Sequence, residues 1–376
     1  MIGAGVGLAG IAGTLALGGE GHSNLFAYLT AYMYFLSIGL GGLFFCMIFF
    51  LTRSGWNVAI RRLGEASMWT LPLFALLFLP LLTGMQHVWG WMDPDVLAHD
   101  VVLQHKASYL NTGFFLGRAV FYFLGWAALA WYFGSQSVRQ DSTGDPAITH
   151  RLQAMAAPGI AIGALTLTFA AFDWNMSLDW HWFSTMYGVI YFAGGFMANF
   201  AVICIVAILL LSQHPGFAKV VTTEHLHGAG KMMFGMNCFW AYTSFSQFML
   251  IWYANIPEET IWFQHRWEGS WVYVSLFLLV GHFIFPFFFL MSRHIKRNRT
   301  TLAFGAAWLL LMHYVDLYWM VMPNTYHGDA HFGLAEILSV LGVGGFFVAA
   351  YAWALGRAPL VPVKDPRLPE SMAFEN

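Results

Sequence analysis

Residues 168–188 read TFAAFDWNMSLDWHWFSTMYG. An apolar run ends at Phe172 and another begins near Phe183. Between them stand Asp173, Trp174, Asp179, Trp180, His181 and Trp182, so carboxylates, an imidazole and indoles crowd the junction of two greasy segments. Indoles concentrate at a membrane–water boundary, where one end of the ring is apolar and the other wet. A carboxylate at that depth is costly, and the cost implies a task. A plain interfacial turn with an aromatic belt stands beside that reading for both Asp173 and Asp179.

Working outward, apolar runs of this kind recur along the whole chain. It is 59% hydrophobic and only 10% charged, with a mean hydropathy of +0.60. Soluble domains carry roughly 25% charged residues, so the composition dictates an all-α integral membrane protein. With no basic patch, nucleic acid is not an expected partner. Cys46, Cys204 and Cys238 are far apart and lie inside apolar runs, with no CxxC, CxxCH or iron–sulfur spacing. They read as buried small hydrophobes. No covalently attached haem, cluster or metal centre is expected on this chain.

A bilayer core needs about 20 apolar residues per helix. Ten spans meet this, at 2–18, 25–51, 67–86, 109–134, 154–173, 183–211, 230–254, 269–291, 300–322 and 333–356. No basic n-region precedes the first, so it does not read as a secretory signal. Residues 358–376 form a Pro-rich polar tail, expected to be an extended or docked arm. Loops after even-numbered spans, together with the tail, hold 14 of the 17 basic residues, from Arg53 to Arg367. The opposite side gathers acids: Glu20, Asp93, Asp95, Asp100, Asp173, Asp179, Glu258, Glu259, Glu268 and Asp329. The positive-inside rule then places both termini in the cytoplasm. Spans two to five and six to nine are sets of four entering from the same side, which permits two parallel four-helix bundles with the first and last spans peripheral. No residue-level repeat supports the pairing.

Several ionisable residues fall at similar depth when counted at 1.5 Å per residue. Asp316 lies about six residues from the outer end of span nine, with His313 one turn earlier on the same face. Glu336 opens span ten, Arg118 lies in span four, and His87 and Asp173 end spans three and five. His282 counts to the middle of span eight. Two functions suit this set. One is a proton relay; the other is a pocket for a quinone head-group, whose oxygens want a hydrogen-bond donor and a proton acceptor. The structural alternative is an ion pair of Arg118 with Asp316 or Glu336. On the basic side, Glu224, His225, His227 and Lys231, followed by Asn237, Ser244, Ser246 and Gln247, suggest a path for proton uptake, against ordinary polar helix packing. Gly41-Gly42 and Gly194-Gly195 are expected at close helix contacts.

Four motifs occur in order. Gly55-Trp56 precedes Arg61-Arg62 and Glu65; Lys106, Tyr109-Leu110-Asn111, Phe114-Phe115 and Arg118 follow. Then come Asp173-Trp174, Met176 to Asp179, His181-Trp182 and Ser184-Thr185, and last Trp240-Ala241-Tyr242, Phe245-Ser246-Gln247 and residues 253–260, YANIPEET. Together they resemble the NrfD/PsrC-like family of membrane subunits, nearest to the ActF-type subunits of bacterial alternative complex III, over about residues 50–330. The resemblance implies two four-helix bundles flanked by extra helices in a bacterial inner (cytoplasmic) membrane. It implies membership in a quinol:electron acceptor oxidoreductase that is inactive as this chain alone. Partners would be a sister NrfD-like membrane subunit, an iron–sulfur subunit and haem c subunits, which would carry the haems and clusters. Quinone or menaquinone is the ligand implied. Lys106, Arg118, Asp173, Asp179 and His181 match motif positions; His282, His313, Asp316 and Glu336 rest on depth and chemistry. Three other readings compete. A purely structural subunit would use these residues only in packing. A haem b cytochrome needs two histidines facing at one depth, and His282 and His313 count to different depths. A transporter is disfavoured by the lack of paired, Gly/Pro-broken short helices.

Overall fold

The computed structural model describes residues 2–18, 22–326 and 328–375. Glu20, read above as one of the acids of one end, lies outside them. Among the described residues there is no strand. The chain is an all-α membrane protein: eight helices are long and apolar enough to cross a bilayer. These are α2 (Ser23–Leu51), α3 (Val58–Leu82), α4 (Thr112–Thr143), α5 (Pro146–Trp174), α6 (Tyr187–Gln213), α8 (Trp271–Met291), α9 (Arg299–Val321) and α10 (Leu334–Leu355). Two further expected spans form helices of other character. Helix α1 (Ile2–Leu17) is apolar but only 16 residues long, about 24 Å. Helix α7 (Thr223–Ala254) has 32 residues, but polar side chains along it dilute its hydropathy.

Helix α2 is the central post. Of its 29 residues only Phe35, Ile48 and Leu51 escape burial, as befits a helix that is apolar on all sides. Around it, α2, α3, α4 and α5 close one ring of four, each touching the next. Helices α6, α7, α8 and α9 close a second ring, joined to the first where α6 and α9 meet α2 and α6 meets α5. Helix α10 lies on α2 and α3, and α1 lies on α10. Gly3 faces Ala349 while Gly10 faces Gly342, so α1 and α10 run antiparallel, and α1 starts at the end where α10 stops.

Lipid gives helices little hydrophobic reason to associate, so close approach of small residues and interhelical hydrogen bonds hold the rings together. A Cβ on Gly41 would sit 2.5 Å from the Gly195 carbonyl oxygen. Of the glycines expected at close contacts, Gly41 and Gly195 meet where α2 crosses α6, Gly42 packs against Ser67 and Gly64 of α3, and Gly194 against His313 of α9. Tyrosine hydroxyls add bonds: Tyr28 donates to the Leu77 carbonyl at 2.8 Å, and Tyr191 donates to the Met33 carbonyl at 2.8 Å.

Three spans, α3, α5 and α7, start seven to nine residues before their expected positions, and α3 is the one that matters for charge. Helix α3 begins at Val58, not near 67, and carries Arg61, Arg62 and Glu65 into the interior. These charges are matched: Arg61 Nη1 meets Asp365 Oδ2 at 2.7 Å and its Nε meets Glu65 Oε1 at 3.1 Å, while Arg62 pairs with Glu65 and Asp141. The tail is docked, not free. Besides Asp365, Ser371 Oγ donates to the Trp56 carbonyl at 2.8 Å and accepts from the Ala59 N–H at 3.1 Å.

Candidate functional site

At the acidic end, one of the residues that first drew notice, Asp173, sits in a clamp. Asp173 is fully buried. Its Oδ2 accepts from Arg118 Nε at 2.7 Å and Tyr122 OH at 2.8 Å, and its Oδ1 from Arg118 Nη2 and Tyr109 OH, both at 2.9 Å. Arg118 Nη1 donates to the Tyr109 carbonyl at 2.9 Å, and its guanidinium lies 3.9 and 4.3 Å from the Tyr109 and Phe114 ring centres. The structural alternative paired Arg118 with Asp316 or Glu336; the partner is Asp173. Three residues, Arg118 and Tyr122 of α4 and Tyr109 of the loop before it, are thereby tied to the end of α5. Four donors occupy the carboxylate, so this group is a structural tie between α4 and α5.

The other outer residues do not converge. His181 is exposed, with Nε2 2.8 Å from Asp100 Oδ2. Trp180 Nε1 donates to the same oxygen at 2.8 Å. That bond, the Leu103 N–H and the nearby His181 hold the Asp100 carboxyl below its ordinary range. Lys106 Nζ donates to the Trp180 carbonyl at 2.6 Å. Burial pushes the Lys106 ammonium downward, against the opposing charges of Asp179 and Asp100. His87 is exposed and stacks on His22 with ring centres 3.6 Å apart, away from the buried ionisable groups. Glu336 caps its own helix, Oε2 accepting from the Gly333 N–H at 2.8 Å.

The basic-end group also divides. Glu224 accepts from Arg297 Nη1 at 2.7 Å. His225 Nδ1 accepts from the Thr222 N–H at 3.1 Å, leaving Nε2 to donate to the Ser371 carbonyl at 3.0 Å. These two residues fasten neighbouring elements. His227 is buried, and Lys231, one turn on, is exposed. Of the polar line above them, Asn237, Ser244 and Gln247 lie on one face of α7 with Trp240, at helical spacing. Ser246 leaves that face: it is half-buried and its hydroxyl bonds back to the Tyr242 carbonyl at 2.7 Å.

What the fold does bring together is His282, His313 and Asp316. Each is buried, and one ligand atom from each lies within 4.8 Å of the others. Counting residues set His282 at a different depth from His313; the backbone of α8 overturns that. Residues Leu278–Ile284 form a π-helical turn, which widens the helix by a residue and recurs at functional sites. Pro286 follows and has no N–H to return to the His282 carbonyl. His282 stacks on Trp240 with ring centres 3.7 Å apart. Trp240 Nε1 in turn donates to Asp316 Oδ2 at 3.0 Å. The Ser37 hydroxyl gives its hydrogen to the Tyr34 carbonyl at 2.7 Å, so His313 Nε2, 2.8 Å from Ser37 Oγ, must be the donor in that contact. Nδ1 of His313 and both ring nitrogens of His282 have no hydrogen-bond partner among the described residues. Gly194 makes room: a Cβ there would sit 2.6 Å from His313 Cε1.

Beside this cluster, between α7, α8 and α9, opens a cavity of about 600 Å³. Its walls are mostly aromatic and aliphatic, with Asp316, Trp240, Gln247 and Ser275 among the few polar groups. Tyr242, Phe245, Leu276 and Leu279 also line it and are themselves exposed on the outer face of the helices. The mouth therefore opens sideways, between apolar side chains on the outside of the helices. Toward the acidic end the cavity reaches Trp262, Trp267 and Trp319. Arg266, which the sequence reading passed over, braces that wall. It is buried, donates to the Trp262, Met320 and Trp319 carbonyls at 2.8, 2.9 and 3.1 Å, and lies 3.4 Å from the Trp262 ring centre.

Compared with known proteins, the sequence matches no protein-family model and no curated protein.

Proposed function

We propose that this chain is a membrane subunit of a quinol-oxidising electron-transfer complex, of the alternative complex III type, and that it binds a quinone or quinol in the cavity between α7, α8 and α9. The observation that carries the reading is the cavity: about 600 Å³, mostly apolar, lined by outward-facing apolar residues at its mouth, with a buried carboxylate in its wall. Small-molecule sites have this make-up, a concave apolar lining with a few placed polar groups. A side opening admits a ligand dissolved in the bilayer. An isoprenoid quinol suits it, with the tail leaving between Phe245 and Leu279 and a ring hydroxyl donating to Asp316. The motif resemblance supports the same class. Haems and iron–sulfur clusters would belong to partner subunits, together with a sister membrane subunit. The excess of basic residues at one end favours a bacterial inner membrane with both termini in the cytoplasm.

The test is to fill the cavity without touching a polar group. Ala241→Phe, in the intact complex, is expected to lower quinol:acceptor activity about tenfold, equivalent to about 1.4 kcal/mol of binding, with assembly and thermal stability retained. Full activity in the assembled variant would refute the pocket.

A further inference from the structure

The cluster on the cavity wall has chemistry that the quinone reading does not use. We infer that His282, His313 and Asp316 form a binding site for a divalent transition-metal ion of the zinc type. The inference shares Asp316 with the proposed pocket but rests on the three ligand atoms alone.

Consider what these groups lack. His282 is fully buried, and neither of its ring nitrogens has a partner among the described residues. His313 is equally buried; its Nε2 is spent on Ser37, and its Nδ1 is bare. Asp316 is 3% exposed and receives one hydrogen bond, from Trp240. Burying unmatched polar groups costs free energy. As placed, none of the three groups is hydrogen-bonded to another, whereas one cation would engage a lone pair from each. Two imidazoles and one carboxylate are a ligand set used by zinc, with a fourth position left for water or a substrate oxygen.

The surroundings fit that role. Metal-bound histidines and carboxylates are held by outer hydrogen bonds that fix tautomer and orientation. Ser37 does this for His313 and the Trp240 indole does it for Asp316. Trp240, stacked on the His282 ring, restricts its rotation. Ligand atoms around a tetrahedral zinc lie about 3.3 Å apart, so the separations here, up to 4.8 Å, need only side-chain adjustment. Asp316 and Trp240 also line the cavity, so the fourth position would face its occupant and ligate an oxygen of it.

The experiment uses the full chain purified with its partner subunits, loaded with Zn²⁺ alone and passed through gel filtration. Metal is then counted per chain by mass spectrometry for the wild type, His282→Gln, Asp316→Asn and, as a control, His181→Gln. The partners' own metal is subtracted by comparing variants. The wild type and the control are expected to hold about one more Zn²⁺ per chain than the two cluster variants, because each loses one of three ligands. Equal zinc in all four would overturn the site. Should the cluster variants fail to assemble, Co²⁺ added to the wild type decides, read as a difference spectrum against the same complex before addition so that the partners' haem and cluster absorption cancels. An intensified visible absorption of tetrahedral type, removed by Zn²⁺, supports the site. The weak spectrum of the hydrated ion refutes it. Neither result depends on whether quinol binds, so failure of the metal site and failure of the pocket are distinguishable.

Discussion

Two buried carboxylates, Asp173 and Asp316, illustrate how differently similar residues can be used. Asp173 meets an arginine fork and two phenols, while Asp316 meets one indole and faces a cavity. The first is saturated and the second has acceptor capacity left. Removing one partner of a buried ion pair strands the other, at a cost of about 3–5 kcal/mol. Arg118→Ala is therefore expected to lower stability by that order, read as an earlier thermal or denaturant transition of the purified complex. Arg118→Met with Asp173→Leu should recover most of the loss, since neither charge is then left alone. An unchanged transition in Arg118→Ala would show that the pair is not a tie. Gly194→Ala tests the other carboxylate's neighbourhood. Its methyl would overlap the His313 ring at 2.6 Å, and overpacking of this sort costs about 1–3 kcal/mol. The variant should be less stable, and His313 should be displaced from Ser37, visible as a local change in a structure of the variant.

Helices as elements were largely legible, because runs of about 20 apolar residues have few other uses. The exceptions have physical causes. Arg61, Arg62 and Glu65 read as loop charges, but they neutralise one another and Asp365 inside α3. Only the tail's position, some 300 residues away in the chain, makes that burial affordable. Truncation after residue 357 is thus expected to leave Arg61 short of one carboxylate and His225 short of Ser371, lowering stability by about 2–4 kcal/mol; a full-length-like unfolding transition would contradict this. The second exception is the π turn of α8. Depth counting assumes 1.5 Å of rise per residue in a straight α-helix, and it misplaced His282 relative to His313. Pro286 was the available signal, since proline inside a span marks altered backbone bonding. The partner of Arg118 was misjudged for a related reason: depth alone cannot say which helices are neighbours. His313 and Asp316 were found because their spacing of three fixes a shared face, whereas Trp240 was named only as part of the fourth motif, with no role given, because an indole among 17 tryptophans carries no mark of its role. Pro286→Ala restores an N–H at that position and should favour a regular α-helix, turning His282 away from Trp240. The expected readout is weaker capture of a quinone analogue with helix content preserved; unchanged capture would show that the turn does not matter to the site.

At the scale of the whole molecule, two rings of helices share one buried post, α2, and are used unequally. The first ring is closed by the Arg118–Asp173 tie and by the charge network around Glu65. The second contains the buried histidines, the widened turn and the cavity. Function, on this account, belongs to the second ring, and the first anchors it. The most direct measurement is photo-crosslinking of the intact complex in its membrane with a lipophilic, reactive quinone analogue, followed by peptide mapping. The account predicts label on the α7 segment from Trp240 to Gln247 and on α9 near Asp316 to Met320, abolished by excess quinol. Label confined to a partner subunit, or label here that quinol does not displace, would contradict it.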